Sequence, residues 1–154
     1  TFRAQGWQII MLDSYEAGSV GGRLSREELD RLAEALHGVH DHTLVCLHHH
    51  PVPMRSRWLD GIGLANAAEF WQVVDPHPHV RAVVWGHVHQ AFEGRRGNVQ
   101  LFATPSTSAQ FLPESDTFAL DAKPPAYRQF ELHPTGEIHS RVHWVRASAA
   151  RRAG

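Results

Sequence analysis

Cysteine is nearly missing from this chain of 154 residues: Cys46 stands alone, so no internal disulfide can form. That fits a reducing compartment, and a cytoplasmic protein is expected. Neither sign of charge dominates. Fifteen Lys and Arg against sixteen Asp and Glu leave a formal net charge of −1, which gives no electrostatic case for nucleic acid or an anionic membrane. No apolar run approaches the roughly 18 residues of a membrane span. There is no internal repeat and no linker-like stretch, and 42% apolar with 20% charged residues is the composition of one ordinary globular domain. The chain also lacks a leading Met, opening at Thr1 and entering a strand-like run almost at once. It reads as a piece of a longer chain. What it holds in surplus is histidine, 13 in all.

The hydrophobic pattern predicts an α/β fold. Trp7 to Leu12 is a short apolar run that suits a buried strand. A glycine-rich loop through Gly18, Gly21 and Gly22 follows. Ser25 then has the character of an N-cap, with Glu28 three residues on to complete a capping box. Behind it Leu29, Leu32, Leu36 and Val39 recur at helical spacing. Thr43 to Leu47 returns as a strand, and a strand–helix–strand order favours parallel neighbours. Pro51 to Gly63 reads as loop and Leu64 to Val74 as a second helix, stopped by Asp75-Pro76-His77-Pro78. Val80 to Trp85 is the next buried strand. Gln90 to Glu93 and Val99 to Ala103 flank Gly94-Arg95-Arg96-Gly97-Asn98 as a hairpin, and a second hairpin turns at Pro134-Thr135-Gly136. Arg146 to Gly154 is an Ala/Arg tail.

Two histidine clusters stand directly after predicted strands: His48-His49-His50-Pro51, and Gly86-His87-Val88-His89. Ligands and catalytic groups collect beyond strand C-termini in open α/β sheets, so the clusters can meet in space. Imidazole is a versatile metal ligand, and a site needs about three donors. In an extended chain His87 and His89 would point the same way and could share a site, or serve one each of two adjacent ions. The remaining histidines have simpler accounts. His37, His40 and His42 follow a helix end, His77 and His79 sit among prolines, and His133, His139 and His143 belong to a hairpin expected to face solvent. Arg95-Arg96 is a solvated hairpin tip.

With His-x-Pro after one strand, Gly-His-x-His after the next and a hairpin following, the chain resembles the calcineurin-like metallophosphoesterases. Leu12-Asp13-Ser14, Trp58-Leu59-Asp60, His87-Val88-His89-Gln90, Ala103-Thr104-Pro105-Ser106-Thr107 and Gln110-Phe111 bring it nearer the class III cyclic-nucleotide phosphodiesterases. The likeness runs to about Val145 and implies the C-terminal half of a four-layer α/β/β/α sandwich, residues 1–145, followed by a tail at 146–154. It implies His49, His87 and His89 as metal ligands, with His48 the alternative if the register slips by one, and His50 as a neighbour. Ahead of His48 the chain has none of the family's Asp-x-His, Gly-Asp or Gly-Asn-His-Asp/Glu motifs. Asp13 follows a strand without a histidine two residues on, so no catalytic residue is assigned.

The complete enzyme that the resemblance implies holds two divalent ions, Mn, Fe or Zn, and hydrolyses a 3′,5′-cyclic nucleotide, cyclic AMP first, to the 5′-monophosphate. The chain by itself is expected to bind metal weakly and to be inactive. Its open apolar face is expected to pair with another copy, as a homo-oligomer or a swapped dimer. Two other readings stand beside this one: a non-catalytic, histidine-rich metal-binding module, and a half-domain completed by a separate polypeptide.

Overall fold

A computed structural model describes residues 1–145; the expected tail at 146–154 lies outside the described residues. The elements in chain order are β1 (Phe2–Ala4), β2 (Trp7–Met11), α1 (Arg26–Leu36), β3 (His42–Leu47), α2 (Arg57–Asp60), α3 (Ala67–Val74), β4 (Val80–Trp85), β5 (Phe92–Arg96), β6 (Val99–Ala103), β7 (Gln110–Phe111), β8 (Leu120–Asp121), β9 (Ala126–Leu132) and β10 (Ile138–Trp144). Six strands make one sheet in the order β1-β2-β3-β4-β6-β5. Its four central strands run parallel, and β1 and β5 close the edges antiparallel. Helices α1 and α3 cover one face and the β9–β10 hairpin covers the other, which gives three layers of an α/β/β/α sandwich.

Parallel strands covered on both faces read as near-continuous apolar runs, and β4 shows why. Val83 and Trp85 pack with Phe70, Trp71 and Val74 of α3 and with the α1 leucines, while Ala82 and Val84 point the opposite way toward Phe130 and Ile138 of the hairpin. Phe70 is fully buried, which contributes about 2–3 kcal/mol. The α1 N-terminus forms as expected in one half only. Ser25 Oγ accepts the Glu28 N–H at 3.1 Å, but the Glu28 carboxylate does not reach back to Ser25. It accepts the Asp13 N–H at 2.9 Å and pairs with Arg31 at 2.6 Å, tying the helix to the loop that leaves β2.

Three further expectations are corrected. The stretch Pro51 to Gly63 contains the single helical turn α2, and α3 begins at Ala67 rather than near Leu64. The first hairpin is tighter than its sequence suggests. Gly94, Arg95 and Arg96 belong to β5, and Arg96 pairs with Val99 across a two-residue turn whose Gly97 has φ +56°. In the second hairpin Phe130, Leu132 and Ile138 face the sheet, while Trp144 at its far end is half exposed.

One arginine joins the layers. The Arg128 guanidinium, inaccessible to solvent, donates to the carbonyls of Ala103 (3.1 Å) and Phe92 (3.3 Å), to Ser140 Oγ (2.6 Å) and to Glu93 (2.6 Å), over the ring of Phe102. No helix among the described residues is long and apolar enough to cross a membrane.

Candidate metal centre

Adjacent parallel strands bring the two histidine clusters together. Leu47 at the end of β3 lies opposite Trp85 at the end of β4, and the Gly86 N–H donates to the His48 carbonyl at 3.2 Å. The next residues therefore emerge side by side. Ligand atoms of His48, His49 and His87 all lie within 4.8 Å of one another. The rings are packed accordingly, with centroids 4.6 Å apart for His49 and His87, and His48 Nε2 is 3.1 Å from His87 Nδ1. His50 lies behind, its ring parallel to that of His87 at 5.9 Å and its Nε2 3.9 Å from the Asp60 carboxylate.

His89 does not join this group. An extended backbone would point His87 and His89 the same way, and the backbone here is not extended: φ is +61° at His87 and +48° at His89. The Val88 N–H donates back to the Gly86 carbonyl at 2.6 Å, and Val88 is buried. The turn sends His87 into the cluster and leaves His89 outside the group of three, though near enough to His48 for like charge on the two rings to be felt. The His89 ring lies flat on Phe111, centroids 4.2 Å apart, with Nδ1 3.0 Å from the Ala109 carbonyl.

The loop after β2 fixes His49. Ser14 Oγ stands 2.8 Å from Nδ1 and accepts the His49 N–H at 3.4 Å, while Nε2 lies 3.3 Å from the Val20 carbonyl. A hydroxyl can donate to a bare Nδ1 or accept from a protonated one, so Ser14 can serve either tautomer. Gly22 makes the fit possible. A Cβ on it would stand 2.0 Å from His49 Nδ1 and 2.6 Å from the Ser14 carbonyl oxygen, so only a bare Cα can pass here. The same loop is clamped to the approach of α3: Gly22 N–H donates to Gly63 O, and Ala65 N–H to Gly22 O at 2.7 Å. Asp60, from the Trp-Leu-Asp stretch, supports the neighbouring loop by accepting the N–H groups of Met54 (2.6 Å) and Ser56 (3.3 Å).

Burial, first of all, pushes all four imidazoles below the ordinary histidine range, and crowding by like neighbours adds to it for each. His87 and His50 fall to about 4. The rings are thus mostly neutral at physiological pH, each with one nitrogen that carries no proton. His87 Nε2 is buried without a full hydrogen bond among the described residues, and the Ile62 backbone beside the ring partly offsets the effect of burial. Neutral, converging, partly orphaned imidazoles suit a divalent cation of the borderline class.

Ser14, Gly22 and Asp60 escape a reading of the histidines alone. Ser14 carries a signal, since it stands two residues past the end of a strand in a stretch already resembling the phosphodiesterases. The Gly22 and Asp60 roles depend on long-range contacts. Asp13 is turned from the cluster, its carboxylate accepting the Tyr15 N–H at 2.9 Å. The Asp-x-His spacing does occur once, at Asp75-Pro76-His77, but that segment precedes β4 at the opposite end of the sheet, and Asp75 pairs with Arg96 at 2.7 Å.

No protein-family profile matches the chain. Individual relatives do. It is 41% identical over 137 residues to the 3′,5′-cyclic adenosine monophosphate phosphodiesterase CpdA of Pseudomonas aeruginosa, covering 88% of this chain and 50% of that protein. It is 44% identical over 137 residues to CpdA of Vibrio vulnificus, with the same coverage. With CpdA of Escherichia coli K12 it shares 41% over 143 residues, 92% of this chain and 52% of that one. The chain thus spans about half the length of the curated relatives it matches. Among solved structures, a dimetal phosphatase from Danio rerio superposes with a TM-score of 0.50 at 23% identity, covering 71% of this chain and 35% of the other. Histidines at the ends of adjacent parallel strands and an α/β/β layering thus accompany a likeness in sequence to about half of several cyclic-nucleotide phosphodiesterases and a likeness in fold to a dimetal phosphatase.

Proposed function

We propose that this chain supplies the histidine side of a two-metal phosphodiesterase site acting on 3′,5′-cyclic nucleotides, cyclic AMP foremost. The observation that carries this reading is the meeting of His48, His49 and His87 beyond β3 and β4. His49 and His87 hold metal. His89 is the third ligand of the resemblance, and His48 stands as the alternative to His49 if the register slips by one. Metal bound there supplies activation of water and neutralisation of charge on the phosphodiester. The chain's own part is to keep the imidazoles neutral by burial, to orient His49 through Ser14 and to leave room through Gly22. No carboxylate stands in the histidine group among the described residues, so the charge of two cations is uncompensated. The other half of a chain as long as the relatives is the source of the acidic ligands, and this chain alone is inactive. A single cysteine suits the reducing cytoplasm, which is the compartment we propose.

The test is to assay this chain beside a form extended to the length of its relatives, for bound Mn, Fe and Zn and for hydrolysis of cyclic AMP and bis(p-nitrophenyl) phosphate. About two metals per extended chain with turnover, and none from the short one, upholds the reading. Tight metal binding without turnover in both favours a histidine-rich binding module. His48→Ala, His49→Ala and His89→Ala in the extended form decide the ligand set, since only substitution of a true ligand loses metal.

A further inference from the structure

A second cluster of metal-ligating side chains lies at the turn of the β9–β10 hairpin. Glu131 and His139 are directly opposed across the two strands, and His133 is the first residue beyond β9. Their ligand atoms lie within 4.8 Å of one another, and the two imidazole rings are 4.6 Å apart. We propose that Glu131, His133 and His139 form a structural site for a single divalent ion of the zinc class, separate from the histidine centre beyond β3 and β4.

Three observations carry it. His133 Nε2 is buried and has no hydrogen-bond partner among the described residues, which is unfavourable unless a ligand takes up the lone pair or proton. The Glu137 carboxylate lies 2.8 Å from His139 Nε2, so it can hold that ring and leave Nδ1 free, the carboxylate–histidine arrangement that supports metal ligands. The backbone is fixed in advance. His133 N–H donates to Glu137 O and Gly136 N–H to His133 O, both at 2.9 Å, and the Trp7 indole N–H donates to His133 O at 2.7 Å. Two imidazoles with one carboxylate are a familiar donor set for zinc, and the carboxylate offsets part of the ion's charge. Gly136 packs against His42 at the start of β3 and its carbonyl accepts from Arg81 near the start of β4, whereas His48 and His87 lie past the ends of those strands. The two centres occupy opposite ends of the sheet. An ion here would cross-link β9 to β10 and fasten the layer that covers the sheet.

The test uses Zn2+ alone as probe and follows the imidazole NMR signals of each histidine with thermal unfolding in parallel. One equivalent should move the His133 and His139 signals together and raise the melting temperature. His139→Ala, at an exposed position, should abolish that response while the His49 and His87 signals still answer to metal. Glu131→Gln, which keeps shape and removes charge, should weaken it, and Glu137→Gln should weaken it by about tenfold. Silence of the His133 and His139 signals at saturating Zn2+, or an unchanged response in both His139→Ala and Glu131→Gln, would overturn the proposal. Either result leaves the phosphodiesterase reading untouched, because that reading rests on the other cluster.

Discussion

At the scale of single residues, the candidate site depends as much on an absent side chain as on those present. Gly22→Ala places a methyl group against the buried His49 ring and the Ser14 backbone, neither of which is free to yield. It should lower stability by about 1–3 kcal/mol and weaken binding of metal at His49, read by thermal unfolding and calorimetric titration; unchanged affinity would show that His49 takes no part. Cys46 makes the opposite kind of prediction. Burial raises its thiol to about 11, so in the folded protein it should resist iodoacetamide at mildly alkaline pH and react once denaturant is added. The histidine clusters are legible in sequence because they follow apolar runs that end abruptly. The parting of His87 from His89 is not, because the sign of φ leaves no trace in a hydrophobic pattern.

Among the elements, most of those of five residues or more announce themselves through apolar runs, alternation or helical spacing; β5, with Phe92 its one large apolar residue, does not, and neither do the shorter ones. A three-residue β1, a four-residue α2 and two-residue β7 and β8 are too brief to show a period. The capping box of α1 is instructive because its residues are right and its wiring differs: Glu28 serves Asp13 and Arg31 instead of Ser25. The hydrogen bond with Arg31 is the main cause that holds the Glu28 carboxyl below its ordinary value of 4.5. A lowered folded pKa stabilises above the unfolded value, and this contribution is lost as pH falls below 4.5 and through the folded pKa. Glu28→Gln should therefore cost about 1 kcal/mol at neutral pH and flatten the loss of stability on acidification, as measured by urea unfolding across that range. An acid limb identical to that of the parent would rule out the coupling.

For the whole molecule, the α/β architecture and its parallel centre were readable from the alternation of strand and helix, whereas the number of layers came from the family likeness. Large apolar side chains are left in solvent along and just after the first strands: Phe2, Met11, Tyr15 and Val20 are each more than 60% exposed. We propose that a second copy covers them in the isolated chain and that the remainder of the sandwich does so in a longer one. Size-exclusion chromatography with light scattering should give a dimer or larger species for this chain. A stable monomer at high concentration would refute it.

Arg128 has a further consequence. Because one guanidinium bonds the ends of both β5 and β6 and a hydroxyl of β10, the hairpin cannot lift without stripping several partners at once. Local opening on that side should then be all-or-none: amide protons of β9, β10 and the β5–β6 edge should exchange with deuterium at a shared rate, and Arg128→Met should split them into a fast hairpin and a slow edge.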